Sequence, residues 1–332
     1  MNNEFPLGEE SKDFGDLPDL SGKYFKNLSG SEQDRFGAFS LTITEIRDAS
    51  EVEVRDLFLR LQEGTTLTPP EKRNAMVGNM RDFIHELSSA PLLLKTSTKN
   101  DRFQHDDWIA HIARLELNKG PIDVKAADLK KLYEDEKSFK VDSKEAKKIK
   151  KVINFMNRVF ADNTPELGIK WGFVDLYLLV SSFINNYDVK KRHQDFYDFY
   201  IGIEKDRRSI GDPADLLSAG GEWNRDLYDY ISSFQREGAK RENIEIRHGV
   251  YVRKFLSDYP DLTPKDPKRI FNDNERLVIW RVANMTCQIC KKEITLEEMH
   301  ADHVKPHSKG GATTIENGQC LCSACNLKKS GS

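Results

Sequence analysis

Cysteine is absent from the first 286 residues of this 332-residue chain, which excludes a disulfide framework there. No apolar run approaches the roughly 18 residues that a membrane-spanning helix needs, so we expect no membrane span. The N-terminus has neither the basic start nor the apolar stretch of a secretory signal, which indicates a reducing, cytoplasmic location. Net positive charge is lacking too. The formal charge is -3, so any nucleic-acid site must be local.

The length of 332 residues suggests two or three domains, at about 100–200 residues per domain. All five cysteines lie between Cys287 and Cys325, which indicates a specialised C-terminal module. Three prolines and many charges just before it are typical of a linker. The predicted organisation is an N-terminal region 1–100, a helical region 101–258, a linker 259–270 and a C-terminal domain 271–332.

The spacing of apolar residues predicts the secondary-structure elements. Alternation over residues 39–44 predicts a short strand, and three-to-four spacing over 52–61 predicts a helix. Thr68 and Pro69 are typical of a helix start, and we expect that helix to run to about Ser88. Further helices are predicted over 103–118, 126–135, 143–162, 171–187, 190–205 and 222–238. The fold class is therefore mainly α with a few strands, an α+β arrangement, followed by a small metal-stabilised domain.

Two CxxC pairs carry the strongest chemical signal. Cys287 with Cys290, and Cys322 with Cys325, can present four thiolates to one tetrahedral zinc ion. A module of about 60 residues buries little core, so the metal would supply folding energy. A redox role for one pair, or chance spacing, is the alternative. Cys320 is left over as a small packing residue or a competing ligand.

The 31 residues between the pairs exceed the roughly 15–20 of a plain zinc ribbon. They hold the adjacent Asp302 and His303, followed by Asn317, and Asn326 comes directly after the second pair. Phosphodiester hydrolysis needs a base for water and a cation for the phosphate charge. His303 can be the base, and the oxygens of Asp302 and Asn326 suit Mg²⁺ or Mn²⁺.

These residues resemble the signature of HNH endonucleases, the ββα-metal nucleases. The matching positions are the two CxxC pairs, Asp302–His303, Pro306, Gly310–Gly311, Asn317, Asn326 and Lys328–Lys329. Asn326 stands where the signature has its last histidine. The resemblance implies that Asn317 orients the histidine loop and that the zinc is structural. It also implies that cleaved DNA carries 5′-phosphate and 3′-hydroxyl ends.

Several positions near the signature keep more than one interpretation. Neighbouring strand residues point to opposite faces, so Asp302 and His303 share a site only where the strand ends or bends. His300 is a surface residue or assists the metal, and His307 is a candidate phosphate contact. Lys328 and Lys329 are expected either to contact phosphates or to be exposed to solvent. We also expect a helix over 274–284 behind the zinc site, and a last helix that begins at Cys322–Cys325.

Residues 39–90 resemble the later half of the ParB-like domain of GmrSD-type restriction proteins. The matching segments are 43–46, 58–64 and 67–75. The nucleotide-hydrolysing motif expected upstream is not found, so that activity is not carried over. Either the chain is a truncated restriction protein, which is the favoured expectation, or that function has been lost.

The leading hypothesis is a metal-dependent DNA endonuclease of a restriction or phage-defence system, which would nick DNA or cut both strands as a homodimer. One alternative is a zinc-stapled module that binds nucleic acid without cutting. Others are an interaction protein with a residual nuclease, and a homing or recombination nuclease. The pairing of a base with hard-metal ligands favours cleavage.

Overall fold

The structure, a computed structural model, describes residues 5–8, 19–38, 40, 43, 45–50, 52–54, 57, 67–235, 237–265 and 268–330. Met1–Val54 form one compact unit and Arg55–Ser332 another. The first unit includes helix α1 (Gly30–Gly37), which Ser29 and Glu32 begin with a capping box.

Two predicted elements fall largely outside the described residues. Of the predicted strand over 39–44, only Ser40 and Ile43 are described, and neither lies in a strand. Of the predicted helix over 52–61, residues 52–54 and 57 are described and are helical. The rest of both segments lies outside the part that the structure describes.

The second unit is mostly helical and has a small two-stranded sheet near its C-terminus, followed by one last helix, in agreement with the predicted fold class. No described helix is both long and apolar enough to cross a membrane. The strands β1 (His300–His303) and β2 (Gly318–Leu321) pair antiparallel. The helices are α2 (Pro69–Asn74), α3 (Asn79–Ser88), α4 (Pro91–Leu94), α5 (Gln104–Leu117), α6 (Ala126–Asp135), α7 (Lys144–Val159), α8 (Lys170–Asn186), α9 (His193–Ser209), α10 (Ala214–Ala219), α11 (Glu222–Gln235), α12 (Arg241–Asp258), α13 (Asp273–Val282) and α14 (Ser323–Ser330).

The prediction of one continuous helix from Thr68 to Ser88 is wrong, because residues 75–78 interrupt it and separate α2 from α3. The predicted start is confirmed: Glu71 accepts hydrogen bonds from the amide and hydroxyl of Thr68, both at 2.7 Å. Gly78 separates the two helices with φ 143°, a conformation that favours glycine. A Cβ at this position would lie 2.9 Å from the Lys137 backbone, so a larger residue does not fit.

Helix α8 is the centre of the second unit and packs against α5, α7 and α12. Every residue from Gly172 to Ser181 is buried, as expected for a helix that is apolar around its whole circumference. Asp175 lies in this stretch and accepts a 2.7 Å hydrogen bond from Arg247 of α12, with both side chains fully buried. The ion pair therefore joins two central helices inside the core.

The segment that joins the helical region to the C-terminal domain is held against the end of α8. The amide of Asp188 donates to the carbonyl of Thr263, and that of Lys265 donates to Asn186, both at 2.9 Å. Leu262, which directly precedes Thr263, is buried. These contacts fix the chain directly before the C-terminal domain, while the division at 259–270 stays a prediction.

The C-terminal part begins with α13, which packs against α12 and both strands. Arg281 of α13 forms ion pairs with Asp226 at 2.6 Å and with Glu222 at 2.8 Å, both on α11. The predicted support helix over 274–284 and the predicted last helix after Cys322 are both confirmed. Together with the hairpin they give the ββα order expected from the sequence.

Candidate functional site

Four cysteines converge as the two CxxC pairs predict. The Sγ atoms of Cys287, Cys290, Cys322 and Cys325 all lie within 4.8 Å of one another, and Cys290 and Cys322 are 3.8 Å apart. Zn–S bonds of about 2.3 Å in a tetrahedron place sulfurs about 3.8 Å apart. The geometry and the thiol donors therefore fit one zinc ion.

The two cysteine pairs are brought together by short backbone turns. The first pair lies in a tight loop closed by hydrogen bonds from Lys291 to the Cys287 carbonyl and from Cys287 to the Lys292 carbonyl, both at 2.8 Å. The second pair flanks the first turn of α14. Gln288 links the two halves: its amide donates to the Cys320 carbonyl, and its side-chain oxygen accepts from the Cys320 amide.

The thiols differ in acidity. Burial alone would raise the pKa of Cys287, but backbone N–H groups of Cys290 and Cys322 outweigh it and lower the pKa to about 6. A thiolate at neutral pH is the form that binds zinc. Cys320 lies outside the group of four and is fully buried in β2, where burial raises its pKa to about 11. Cys320 is thus a packing residue.

Asp302 and His303 occupy the last two positions of β1, opposite Gln319 and Gly318. Their side chains have separate partners, in keeping with opposite faces of the strand. The Asp302 carboxylate accepts from Lys329 at 2.7 Å and from Gln319 at 3.2 Å. Lys329 also donates to the backbone carbonyl of His303. Its ammonium group is therefore paired with protein groups, and its contact with a phosphate stays a prediction.

The Asp302 carboxylate remains ionised. Burial alone would raise its pKa, but the ammonium of Lys329, the backbone of His303 and the Gln319 side chain together outweigh burial and hold the pKa below its ordinary value. The side chain is still 29% exposed, so one face of the carboxylate meets solvent.

His303 is only 7% exposed and is held by three neighbours. Its Nε2 lies 2.9 Å from the hydroxyl of Thr313, and its ring packs on Phe271 with centroids 4.8 Å apart. The ring of His307 is 5.8 Å away. Burial lowers the pKa of His303, and although Asp302 raises it, the net shift is downward. The imidazole is therefore neutral at neutral pH and can accept a proton.

Asn317 closes the loop that follows β1. Its side-chain oxygen accepts from the Lys305 amide at 2.8 Å, and its Nδ2 donates to the carbonyls of Lys305 at 3.1 Å and Ala312 at 2.7 Å. Its own carbonyl accepts from Val304. Gly311 is also required here, since a Cβ would lie 1.9 Å from the Lys305 carbonyl oxygen. The amide thus joins both ends of the loop.

Asn326 and Lys329 are three residues apart on α14, and such residues share one face of a helix. Because Lys329 reaches Asp302, this face of α14 looks towards β1. Asn326 is half-buried on the same face. His300, at the start of β1, is exposed, and His307 lies in a short 3-10 helix beside His303.

Sequence reasoning did not identify Thr313, Phe271 or Gln319. No motif marks them, since a threonine in a loop and a phenylalanine before a helix are ordinary in this sequence. Their role is visible only once β1, the loop and the segment before α13 are folded together.

Comparison with known proteins gives a match only to a family model, in the C-terminal part of the chain. No curated protein and no solved structure matches the chain. The comparisons give no support for the resemblance of residues 39–90 to a ParB-like domain. The HNH endonuclease family model matches residues 287–332. The segment with the four clustered cysteines and with Asp302–His303 is therefore similar to HNH endonucleases, which supports a nuclease of that family.

Proposed function

We propose that the protein is a metal-dependent endonuclease that hydrolyses DNA phosphodiester bonds, with His303 as the general base. The observation that carries this proposal is a buried, neutral imidazole fixed by Thr313 beside an ionised carboxylate. Both residues lie within the segment similar to HNH endonucleases. A module that only binds nucleic acid has no need for a base next to a hard-metal ligand.

Each residue of the site has its own proposed role in hydrolysis. His303 accepts the proton of the attacking water, because its neutral ring has a free lone pair at neutral pH. Asn317 keeps the loop after β1 in place through its three side-chain hydrogen bonds. Asp302 and Asn326 would hold Mg²⁺ or Mn²⁺ through oxygen atoms.

Asp302 fits a cation, because its carboxylate is ionised and 29% exposed. Lys329 pairs with Oδ2 and would have to share or release that oxygen when a cation binds. When bound, a divalent cation supplies charge neutralisation at the phosphate and at the leaving oxygen. Products with 5′-phosphate and 3′-hydroxyl ends are expected. Zinc in the cysteine site is structural, because four thiolates leave no position for water.

The biological role that we propose is restriction or phage defence in the cytoplasm. It follows from the sequence resemblance of residues 39–90 to restriction proteins, for which the comparisons give no support, and from the reducing environment that the four thiols require. One base per chain gives a nick, so double-strand cleavage would require a homodimer.

Incubation of supercoiled plasmid with Mg²⁺, Mn²⁺ or EDTA tests the activity. Modified phage DNA, run beside unmodified DNA, tests the role in defence. We expect metal-dependent nicked or linear product whose ends can be religated. Retardation of DNA in a gel without any cleavage, by zinc-loaded protein, would instead support the binding module.

A further inference from the structure

The hydrogen bonds around Thr313 determine which nitrogen of His303 carries the proton. The Thr313 hydroxyl donates to the backbone carbonyl of Lys268, which can only accept. A hydroxyl has one proton, so the same oxygen must accept from His303 Nε2. The neutral ring therefore carries its proton on Nε2, and Nδ1 keeps the lone pair.

Nδ1 is thereby the proton acceptor. Within the part of the chain that the structure describes, no protein group forms a hydrogen bond to Nδ1 of His303. Phe271 covers one side of the ring and limits its rotation. Thr313 itself is 3% exposed, so water does not compete for its hydroxyl.

The carbonyl that anchors this arrangement lies outside the segment similar to HNH endonucleases. The ammonium of Lys268 donates to Glu275 at 2.6 Å, and Glu275 accepts from the hydroxyl of Tyr187 at 2.8 Å. Tyr187 follows directly after α8 of the helical region. A continuous set of contacts thus runs from the helical region through Glu275 and Lys268 to Thr313.

We propose that Thr313 is a positioning residue that fixes His303 in the Nε2–H form, with the Lys268 carbonyl as its anchor. The proposal rests on the proposed function, since it assigns the atom that takes the proton of water. Without the threonine hydroxyl, the ring can rotate or change tautomer, and the lone pair of Nδ1 no longer has a fixed direction.

Thr313→Val keeps the shape and removes the hydroxyl, whereas Thr313→Ser keeps the hydroxyl. We expect Thr313→Val to lower kcat at least about tenfold with little change in KM for plasmid DNA, and Thr313→Ser to restore most of kcat. A purely structural role would reduce zinc content or folded protein in both variants. Equal kcat in Thr313→Val and the wild type would overturn the proposal.

Thr96→Val is a matched control. The buried Thr96 hydroxyl also donates to a backbone carbonyl, that of Leu93 at 2.8 Å, and lies 3.5 Å from Nε2 of His105. This pair is in the helical region, so cleavage should stay at the wild-type rate. A loss equal to that of Thr313→Val would show a general packing effect and would contradict the proposal.

Nitrogen-15 NMR of histidine in the zinc-loaded full chain reads the tautomer without any activity. At about pH 8, above the ordinary imidazole pKa, we expect the His303 signals, identified by their loss in His303→Ala, to show a protonated Nε2. A protonated Nδ1 would overturn the assignment. If the wild type cleaves no DNA, the proposed function fails while this spectrum still decides the tautomer.

Discussion

Replacement of Asn317 tests how the loop after β1 holds the site. Asn317→Ala removes three side-chain hydrogen bonds, two to Lys305 and one to Ala312. A net contribution of about 0.5–1.5 kcal/mol each, reduced because the side chain is half-buried, gives a local loss of roughly 1.5–3 kcal/mol. The loop should therefore open about ten to a hundred times more often.

Amide hydrogen exchange can resolve this effect residue by residue. The Lys305 amide donates to the Asn317 side chain and should exchange at least about tenfold faster in Asn317→Ala. The Val304 amide donates to the Asn317 backbone carbonyl, a bond that the substitution retains, so its exchange should change less. Asn317→Asp should be at least as harmful, because it sets a carboxylate oxygen against two carbonyls.

Cleavage should fall together with loop protection, since the same loop leads into Thr313 and hence to His303. Zinc content should not change, because no cysteine contacts the Asn317 side chain. Asn118→Ala is the matched control: its amide also donates to two backbone carbonyls, those of Gly120 and Pro121, but in the helical region. Wild-type exchange at Lys305, or full cleavage despite faster exchange, would refute the reasoning.

The remaining predictions concern the metal and the core. Cys290→Ser should lose most of its zinc by elemental analysis, whereas Cys320→Ala should retain it. Burial lowers the pKa of His111 to about 4, so unfolding takes up a proton. His111 should therefore contribute a loss of about 3 kcal/mol of stability in urea as pH drops from 6.5 to 4. His111→Gln should remove that share, while the buried His248, whose pKa burial also lowers to about 4, keeps its own. Arg247→Met leaves the buried Asp175 unpaired and should cost roughly 3–5 kcal/mol, seen as a lower Tm.

Local patterns in the sequence predicted the helices whose apolar face follows a regular spacing. Helix α6 was predicted with both ends correct, and the ends of α5 and α8 were within about one residue. Helix α12 was not predicted as an element, because its buried Arg247 interrupts the apolar pattern. A buried cation is stabilised only by its partner on another helix, and spacing within one segment does not show this.

In the candidate site, too, some features could be predicted from local sequence and others depend on tertiary packing. The cysteine pairs are recognisable because zinc dictates both residue type and spacing, and their convergence is confirmed. Asn317 forms side-chain hydrogen bonds to Lys305 in the loop after β1, and its role in orienting His303 stays a prediction. The hydrogen bond between His303 and Thr313 joins residues 10 positions apart, and the one from Thr313 to Lys268 joins residues 45 positions apart. Such a contact depends on the tertiary packing of the segment before α13, which no local pattern encodes.

The central claim is that His303 is the base of a metal-dependent nuclease. The most direct measurement compares single-turnover plasmid cleavage by the wild type, His303→Ala and His300→Ala in Mg²⁺ or Mn²⁺, with zinc content and Tm recorded for each. We predict a loss of at least about a hundredfold for His303→Ala alone, with unchanged zinc content. Because His303 is only 7% exposed, its truncation should lower the Tm, but the variant should still unfold cooperatively. Equal cleavage by His303→Ala and the wild type would contradict the account.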